Sequence, residues 1–172
     1  MSRAAVDQTL SRLAKKGILS RVAWGIYLYP KTSKRLGVLS PSLDSVARAA
    51  VGKDGVLQVT KARAANSLGL STQVPARTVY LTDSATRRVI KLGRQSITLR
   101  PAGSKTLAGA GKMSGYALQA LRYLGPDGVD DATIDILRSH LSPTDKLDLR
   151  RVAHKAPDWM LPFVAQVVQG YA

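Results

Sequence analysis

The stretch Ser2-Arg3-Ala4-Ala5-Val6-Asp7-Gln8-Thr9-Leu10-Ser11-Arg12-Leu13-Ala14-Lys15-Lys16-Gly17, continuing as Ile18-Leu19-Ser20-Arg21-Val22-Ala23-Trp24-Gly25-Ile26-Tyr27-Leu28-Tyr29-Pro30, decides the fold. Ser2 is placed to cap a helix. Val6, Leu10, Leu13 and Ala14 then recur at helical spacing, and Gly17 is the stop. The opposite face holds Arg3, Ala4, Asp7, Gln8, Ser11, Arg12 and Lys15. Short and basic side chains of this kind suit a helix lying in a major groove. Taken alone, the same face reads as an ordinary solvated one. Residues 18–22 read as a strand, Ala23-Trp24-Gly25 as a tight turn, and residues 26–29 as a returning strand closed by Pro30.

Helix, glycine, hairpin is the order of a winged helix-turn-helix, in which the hairpin is the wing and lies against the phosphate backbone or minor groove. Arg21 and Trp24 fall on or near this wing, and Lys31, Lys34 and Arg35 add phosphate-contacting charge. Trp24 reads equally well as a core residue. The motif also needs a helix that crosses the recognition helix and packs on Val6 and Leu10. The recognition helix here starts at the first residues, so the expectation is a partial winged helix.

Lysine and arginine total 26 against 11 acidic residues, all aspartate, for a net charge of +15. The excess is concentrated. Residues 1–40 carry eight basic residues against one aspartate, and residues 84–112 carry seven against none. Residues 41–83 hold five against three, and residues 113–172 hold six against seven. Concentrated positive charge attracts polyanions by releasing the counterions condensed on phosphate backbones. The 172 residues suit one domain of moderate size, or a small reader joined to a second domain. No apolar run approaches the roughly 18 residues of a membrane span. Residues 1–11 lack the apolar core of a secretory signal. With no cysteine, disulfides and thiolate metal sites are excluded. The expected location is the cytoplasm.

Beyond the wing, Ser40-Pro41 reads as an N-cap with proline at the first helical position. Leu43, Val46, Ala47, Ala50 and Val51 form the apolar face of a helix that ends near Gly52. A short strand at 56–59 and a helix at 61–68 follow. Residues 78–82 and 88–92 read as strands. Gly93-Arg94 reads as a two-residue hairpin turn with glycine first, and residues 95–100 alternate as a third strand. The second basic block therefore decorates an antiparallel sheet. Arg87, Arg88, Lys91, Arg94 and Arg100 are either a second phosphate-binding surface or edge charges that block aggregation. The remainder is helical: Met113 to Leu124, a segment marked by Ile134, Leu137 and Leu141, and a capping-box-like start at Ser142-Pro143-Thr144-Asp145. A last helix opening at Pro157 is apolar over much of its circumference, and is either packed centrally or a partner interface.

Signals for catalysis are weak. Gly111-Lys112 resembles a phosphate-binding loop, but Thr106 and Met113 stand where that pattern needs Gly and Ser or Thr. His140 and His154 lack metal-ligand spacing and fall near helix ends. Asp130-Asp131 is explained by capping, and Asp135, Asp145, Asp148 and Asp158 read as solvated faces. No nucleophile, base and orienting group assemble, so neither enzyme activity nor a cofactor or metal is expected.

The residues also carry a family resemblance. Residues 2–8, Leu10-Ser11-Arg12-Leu13, Gly17-Ile18-Leu19 and Gly25-Ile26-Tyr27 form one segment with Tyr29-Pro30-Lys31-Thr32-Ser33, Leu36-Gly37 and Leu39-Ser40-Pro41. Together with residues 64–76, Tyr80-Leu81-Thr82-Asp83 and Leu92-Gly93-Arg94-Gln95, this resembles the antitoxin component of AbiE-type (type IV) toxin–antitoxin systems, in a domain-of-unknown-function subgroup. The similarity covers roughly residues 2–125, and Leu68-Gly69-Leu70-Ser71-Thr72-Gln73-Val74-Pro75 is its most specific part. It implies an N-terminal winged helix that represses its own operon, a C-terminal antitoxin domain, a nucleotidyltransferase-like toxin as counterpart, and a setting of phage defence. Members of that family start some tens of residues earlier, with the first helices of the winged unit.

The expectation is therefore an α+β chain. Residues 1–38 form a partial winged helix-turn-helix, and residues 39–172 form an antitoxin-like unit with a small antiparallel sheet and a helical C-terminus. Ser2, Arg3, Asp7, Gln8, Arg12 and Lys15 face bases or nearby phosphates, and Arg21, Trp24, Lys31, Lys34 and Arg35 hold the backbone of double-stranded DNA. Two other readings stand beside this one. The helices of residues 113–172 would bind a toxin without DNA binding, or the basic sheet would bind RNA, although the exposed aromatics usual for base stacking are scarce.

Overall fold

The computed structural model describes residues 2–35 and 37–170. Leu36, part of the resemblance above, lies outside the described residues. The fold is α+β, as expected. Its first helix, α1 (Arg3–Lys15), is capped by Ser2, whose Oγ accepts the Ala5 N–H at 3.3 Å. It ends in a Schellman turn: Gly17, at φ +73°, donates to the Ala14 carbonyl, and Ile18 donates to that of Leu13, both at 3.0 Å. This turn consumes Ile18 and Leu19, so the first strand starts two residues later than expected.

The hairpin pairs β1 (Ser20–Ala23) with β2 (Ile26–Leu28) around a two-residue turn, Trp24-Gly25, rather than three. The register shifts between Arg21 and Ala23, which makes Val22 the extra residue of a bulge. A second hairpin, which the sequence did not announce, pairs β3 (Lys31–Ser33) with β4 (Gly37–Leu39).

The next helix, α2 (Leu43–Val51), is capped by Ser42, whose Oγ accepts the Ser45 N–H at 3.2 Å. This corrects the expected cap at Ser40-Pro41 by two residues. The remaining sheet strands are β5 (Leu57–Val59), β6 (Thr78–Thr82), β7 (Arg88–Leu92) and β8 (Gln95–Pro101), with α3 (Lys61–Ser67) between β5 and β6. Their order in the sheet is β5-β6-β8-β7. Three of the helices that follow are α4 (Met113–Leu124), α5 (Asp131–His140) and α6 (Pro143–Val152). The last, α7 (Leu161–Val168), is preceded by a 3-10 turn at Asp158–Met160, so the final helix starts four residues after Pro157. The capping box at Ser142 and Asp145 is present in full.

The pairings β5–β6 and β7–β8 are antiparallel, and β6–β8 is parallel, so the four-stranded sheet is mixed. The Gly93-Arg94 turn joins β7 and β8 as expected, with Gly93 at φ +57°. Tyr80, Ile90, Ile97 and Leu99 are buried on the sheet, and α2 packs across β5, β6 and β8. Ile26 of β2 joins the same core, and β1 packs against β7. Beyond the sheet, α3 sets Ala64, Ala65 and Leu68 against α4, and the buried side of α7 (Val164, Val167, Val168) packs on α5 and α6.

The loop before α4 is fixed by a glycine pair. Gly109, at φ +69°, places its carbonyl oxygen 2.2 Å from where a Cβ on Gly115 would sit. Since that neighbour is backbone, it has little room to yield. Gly115→Ala is expected to lower the unfolding free energy by about 1–3 kcal/mol in urea titration, the usual cost of overpacking. A variant as stable as the parent would show that the loop yields freely.

Candidate nucleic-acid interface

Charge on a short helix is presented only if the helix is not turned inward. α1 has no buried residue. Ser2, Arg3, Asp7, Gln8, Arg12 and Lys15 are all exposed. The first and last turns of the helix differ in charge, with no acidic residue in the first and Arg12 and Lys15 in the last, where cations meet the negative end of the helix dipole. The intended apolar face is only partly shielded: Val6 is 40 % exposed, while Leu10, Leu13 and Ala14 are half-buried. Among the described residues no helix crosses α1.

The β1–β2 hairpin has two sides. Its body is anchored by Ile26, with Val22 and Ala23 packed on the core. At its tip Trp24 is 81 % exposed, which removes the reading of Trp24 as a core residue. The Arg21 guanidinium lies 5.0 Å from the centre of the Trp24 ring, a cation–π contact at the surface. Lys31, Lys34 and Arg35 do not trail from the wing as loose charge. They belong to the β3–β4 ribbon, Lys31 opposite Leu39 and Lys34 and Arg35 in the turn, and all three are exposed.

The second basic block is not one surface. Side chains alternate along a strand, so Arg88, Ile90 and Leu92 share one face of β7, and Val89 and Lys91 share the other. Arg100 of β8 is on the Lys91 side, in register by alternation with Thr98, the partner of Val89. Arg88 turns instead toward α2 and the hairpin, donating to the carbonyls of Ala50 and Trp24. Arg94 sits in the β7–β8 turn and Arg87 in the loop that leads into β7, both exposed. Of the five arginines and lysines read either as a second phosphate-binding surface or as edge charges, the sheet separates Arg88 from Lys91 and Arg100.

Two polar clusters were missed. Asp148, expected on a solvated face, is only 8 % exposed. Its carboxylate accepts from Lys112 Nζ at 2.8 Å, from the Ser114 hydroxyl at 2.6 Å and from Arg151. Burial opposes its ionisation, but these three donors outweigh burial and hold its pKa at about 2 against an ordinary 3.8. Lys112, part of the near-match to a phosphate loop, is thereby committed to an internal ion pair between the start of α4 and α6. The second cluster joins α2, α3 and β6. Asp44 accepts from Arg63 at 2.8 Å and from the Tyr80 hydroxyl, and Arg63 stacks 5.0 Å from the Tyr80 ring centre. Burial, then the bond to Asp44, pushes the Tyr80 hydroxyl well above its usual pKa, so it stays a donor. The only sequence signal for either cluster was an Asp at helical spacing among apolar residues.

The two histidines fall at helix ends as expected, His140 with Nδ1 2.9 Å from the Ile136 carbonyl and His154 with Nδ1 3.0 Å from that of Arg151. Among the described residues no group of three or more His, Asp or Glu side chains is placed to hold a metal, and no helix is long and apolar enough to cross a membrane.

A family model described as a family of unknown function, DUF6088, matches residues 1–149. No curated protein and no solved structure matches the chain.

Because the folded-state pKa of Asp148 is depressed, its contribution to stability is complete above about pH 4 and is lost as the pH falls toward 2. In Asp148→Asn the unfolding free energy should fall less steeply over that window than in the parent, measured by urea denaturation at each pH. Equal slopes would mean that the carboxylate is not held by Lys112, Ser114 and Arg151 in solution.

Proposed function

This chain belongs to the DUF6088 family, whose function is unknown, and from that premise we propose that it is a DNA-binding transcriptional regulator that acts as the antitoxin of a type IV toxin–antitoxin pair. It binds duplex DNA upstream of its own operon in the cytoplasm, represses that operon, and counteracts a nucleotidyltransferase-like toxin. One observation carries the DNA-binding part. The first of the chain's two basic segments forms a helix with no buried residue and two hairpins whose cations are all exposed. A surface of this kind answers the uniform negative charge of a phosphate backbone.

The roles divide by position. Gln8 and Arg12 share one side of α1 and carry the bidentate donors and acceptors that read base edges in a major groove, while Arg3, about half a turn round the axis from Arg12, faces nearby phosphates. Arg21, Lys31, Lys34 and Arg35 are on hairpins and hold phosphates, which sets register without reading sequence. Trp24 offers a flat apolar surface beside Arg21. The antitoxin role rests on the family resemblance of residues 2–125. The reading assigns no catalytic step and no cofactor.

A gel-shift titration on the DNA upstream of the gene should show binding that weakens steeply with salt. Arg12→Ala should cost about 1–3 kcal/mol on the operator and less on unrelated duplex. The double variant Lys34→Gln/Arg35→Gln should weaken both alike and reduce the slope of log K against log salt by about 2. Absence of binding at low salt, or binding indifferent to salt, would sink the DNA-binding reading. Failure of the chain to restore growth to cells expressing an adjacent nucleotidyltransferase-like gene would sink the antitoxin reading.

A further inference from the structure

The two basic blocks meet at the start of β7. Arg88 belongs to the second block, yet its guanidinium reaches the first. Nη2 donates to the Trp24 carbonyl at 3.1 Å and Nη1 to the Ala50 carbonyl at 3.3 Å. Trp24 is the tip of the β1–β2 hairpin, and Ala50 is in the last turn of α2. A planar fork of donors can bridge two carbonyls on separate elements, whereas a lysine ammonium is a single point. Arg21 stacks on Trp24 at the same tip, and Arg87, the neighbour of Arg88, is exposed in the loop that leads into β7. At the other end of the strand, Leu92, Gly93 and Gln95 line one cleft with Val22, Ser40 and Leu43. The β1–β2 hairpin thus packs beside β7.

Charge at this junction is mostly positive. Residues 8–43 and 84–126 contain no acidic residue. The carboxylate that lines the cleft beside Arg88 is Asp83, which accepts from the Val56 N–H at 3.0 Å and the Thr82 hydroxyl at 3.2 Å.

We propose that the head of the second basic block joins the first in one phosphate-binding track at the Trp24–Arg88 contact, so that a duplex held by α1 and the hairpins continues over Arg87 and the loop before β7. Arg88 is a positioning residue in this track. It commits its donors to two carbonyls and fixes the hairpin against α2, which ties the hairpin that carries Arg21 to the strand that Arg87 leads into. Lys91 and Arg100, on the opposite face of the sheet, lie off the track. The proposal rests on the duplex-binding reading above and adds the extent of the surface and the role of Arg88.

The test is fluorescence anisotropy of the full chain on labelled upstream duplex across a potassium chloride series, with amide hydrogen exchange measured on the free protein. Arg87→Gln should reduce the salt slope by about 1, while Lys91→Gln and Arg100→Gln should leave affinity and slope unchanged. Arg88→Lys keeps the charge and loses the bridge. It should weaken binding several-fold, as Arg88→Gln does, and both should speed exchange across residues 20–28 without DNA. Circular dichroism melts confirm that each variant is folded. An Arg88→Lys variant that binds like the parent and exchanges like it would overturn the positioning role. An Arg87→Gln variant with an unchanged slope would overturn the track. If the parent itself fails to bind duplex, the duplex-binding reading and the track fall together, whereas faster exchange in Arg88→Lys would still support the bridge.

Discussion

The parallel pairing of β6 with β8 organises the rest of the molecule. It sets Tyr80 opposite Leu99, and the adjoining antiparallel pairing sets Ile97 opposite Ile90, so four large apolar side chains are buried on one sheet. With β8 taken into the middle, β7 is driven to the outer position although it precedes β8 in the chain. That displacement leaves an edge for the N-terminal hairpin to pack on. It also fixes which residues of β7 look toward the core, and so whether each cation of the second block faces the hairpin or faces away. Burial of β8 thus determines the arrangement of charge some distance from it.

What the sequence made legible were the elements whose signal is local. The helical spacing in α1, the capping box at Ser142, the glycine-first turn at Gly93-Arg94 and the strands β6 and β7 depend on residues a few positions apart, and each is found where it was read. Boundaries drifted where two local signals competed. Ser40-Pro41 and Ser42 are both competent caps, and the choice fell to the serine whose hydroxyl reaches an N–H three residues on. Ile18 has strand propensity, but its N–H was needed to close the end of α1. The β3–β4 ribbon was illegible because its strands are three residues each, β3 being lysine, threonine and serine and β4 opening on glycine, too short for an alternation to show.

The candidate site followed the same division. Residues expected to face a duplex from α1 and the hairpins are exposed, because exposure there follows from helix periodicity and turn position. Arg88 is on the other face of the sheet from Lys91 and Arg100, because proximity in sequence says nothing about which face of a strand a side chain takes. Asp148 was misplaced for a related reason. An aspartate on an amphipathic helix looks solvated until its partners, here 36 and 34 residues away and one turn along, are known.

One feature of α1 bears on how such a chain can change over generations. A helix that contributes nothing to the core is held by its own caps, and isolated helices of about 12–15 residues are marginal in water. Its exposed side chains are therefore released from the selection that packing imposes on the body. Exchanges at Arg3, Gln8 or Arg12 leave Tyr80, Ile97 and Leu99 undisturbed, and the folded body keeps its margin above the threshold that destabilising substitutions would otherwise erode. Exposed charge and foldability are placed on separate parts of one short polypeptide, so the one can vary while the other is kept.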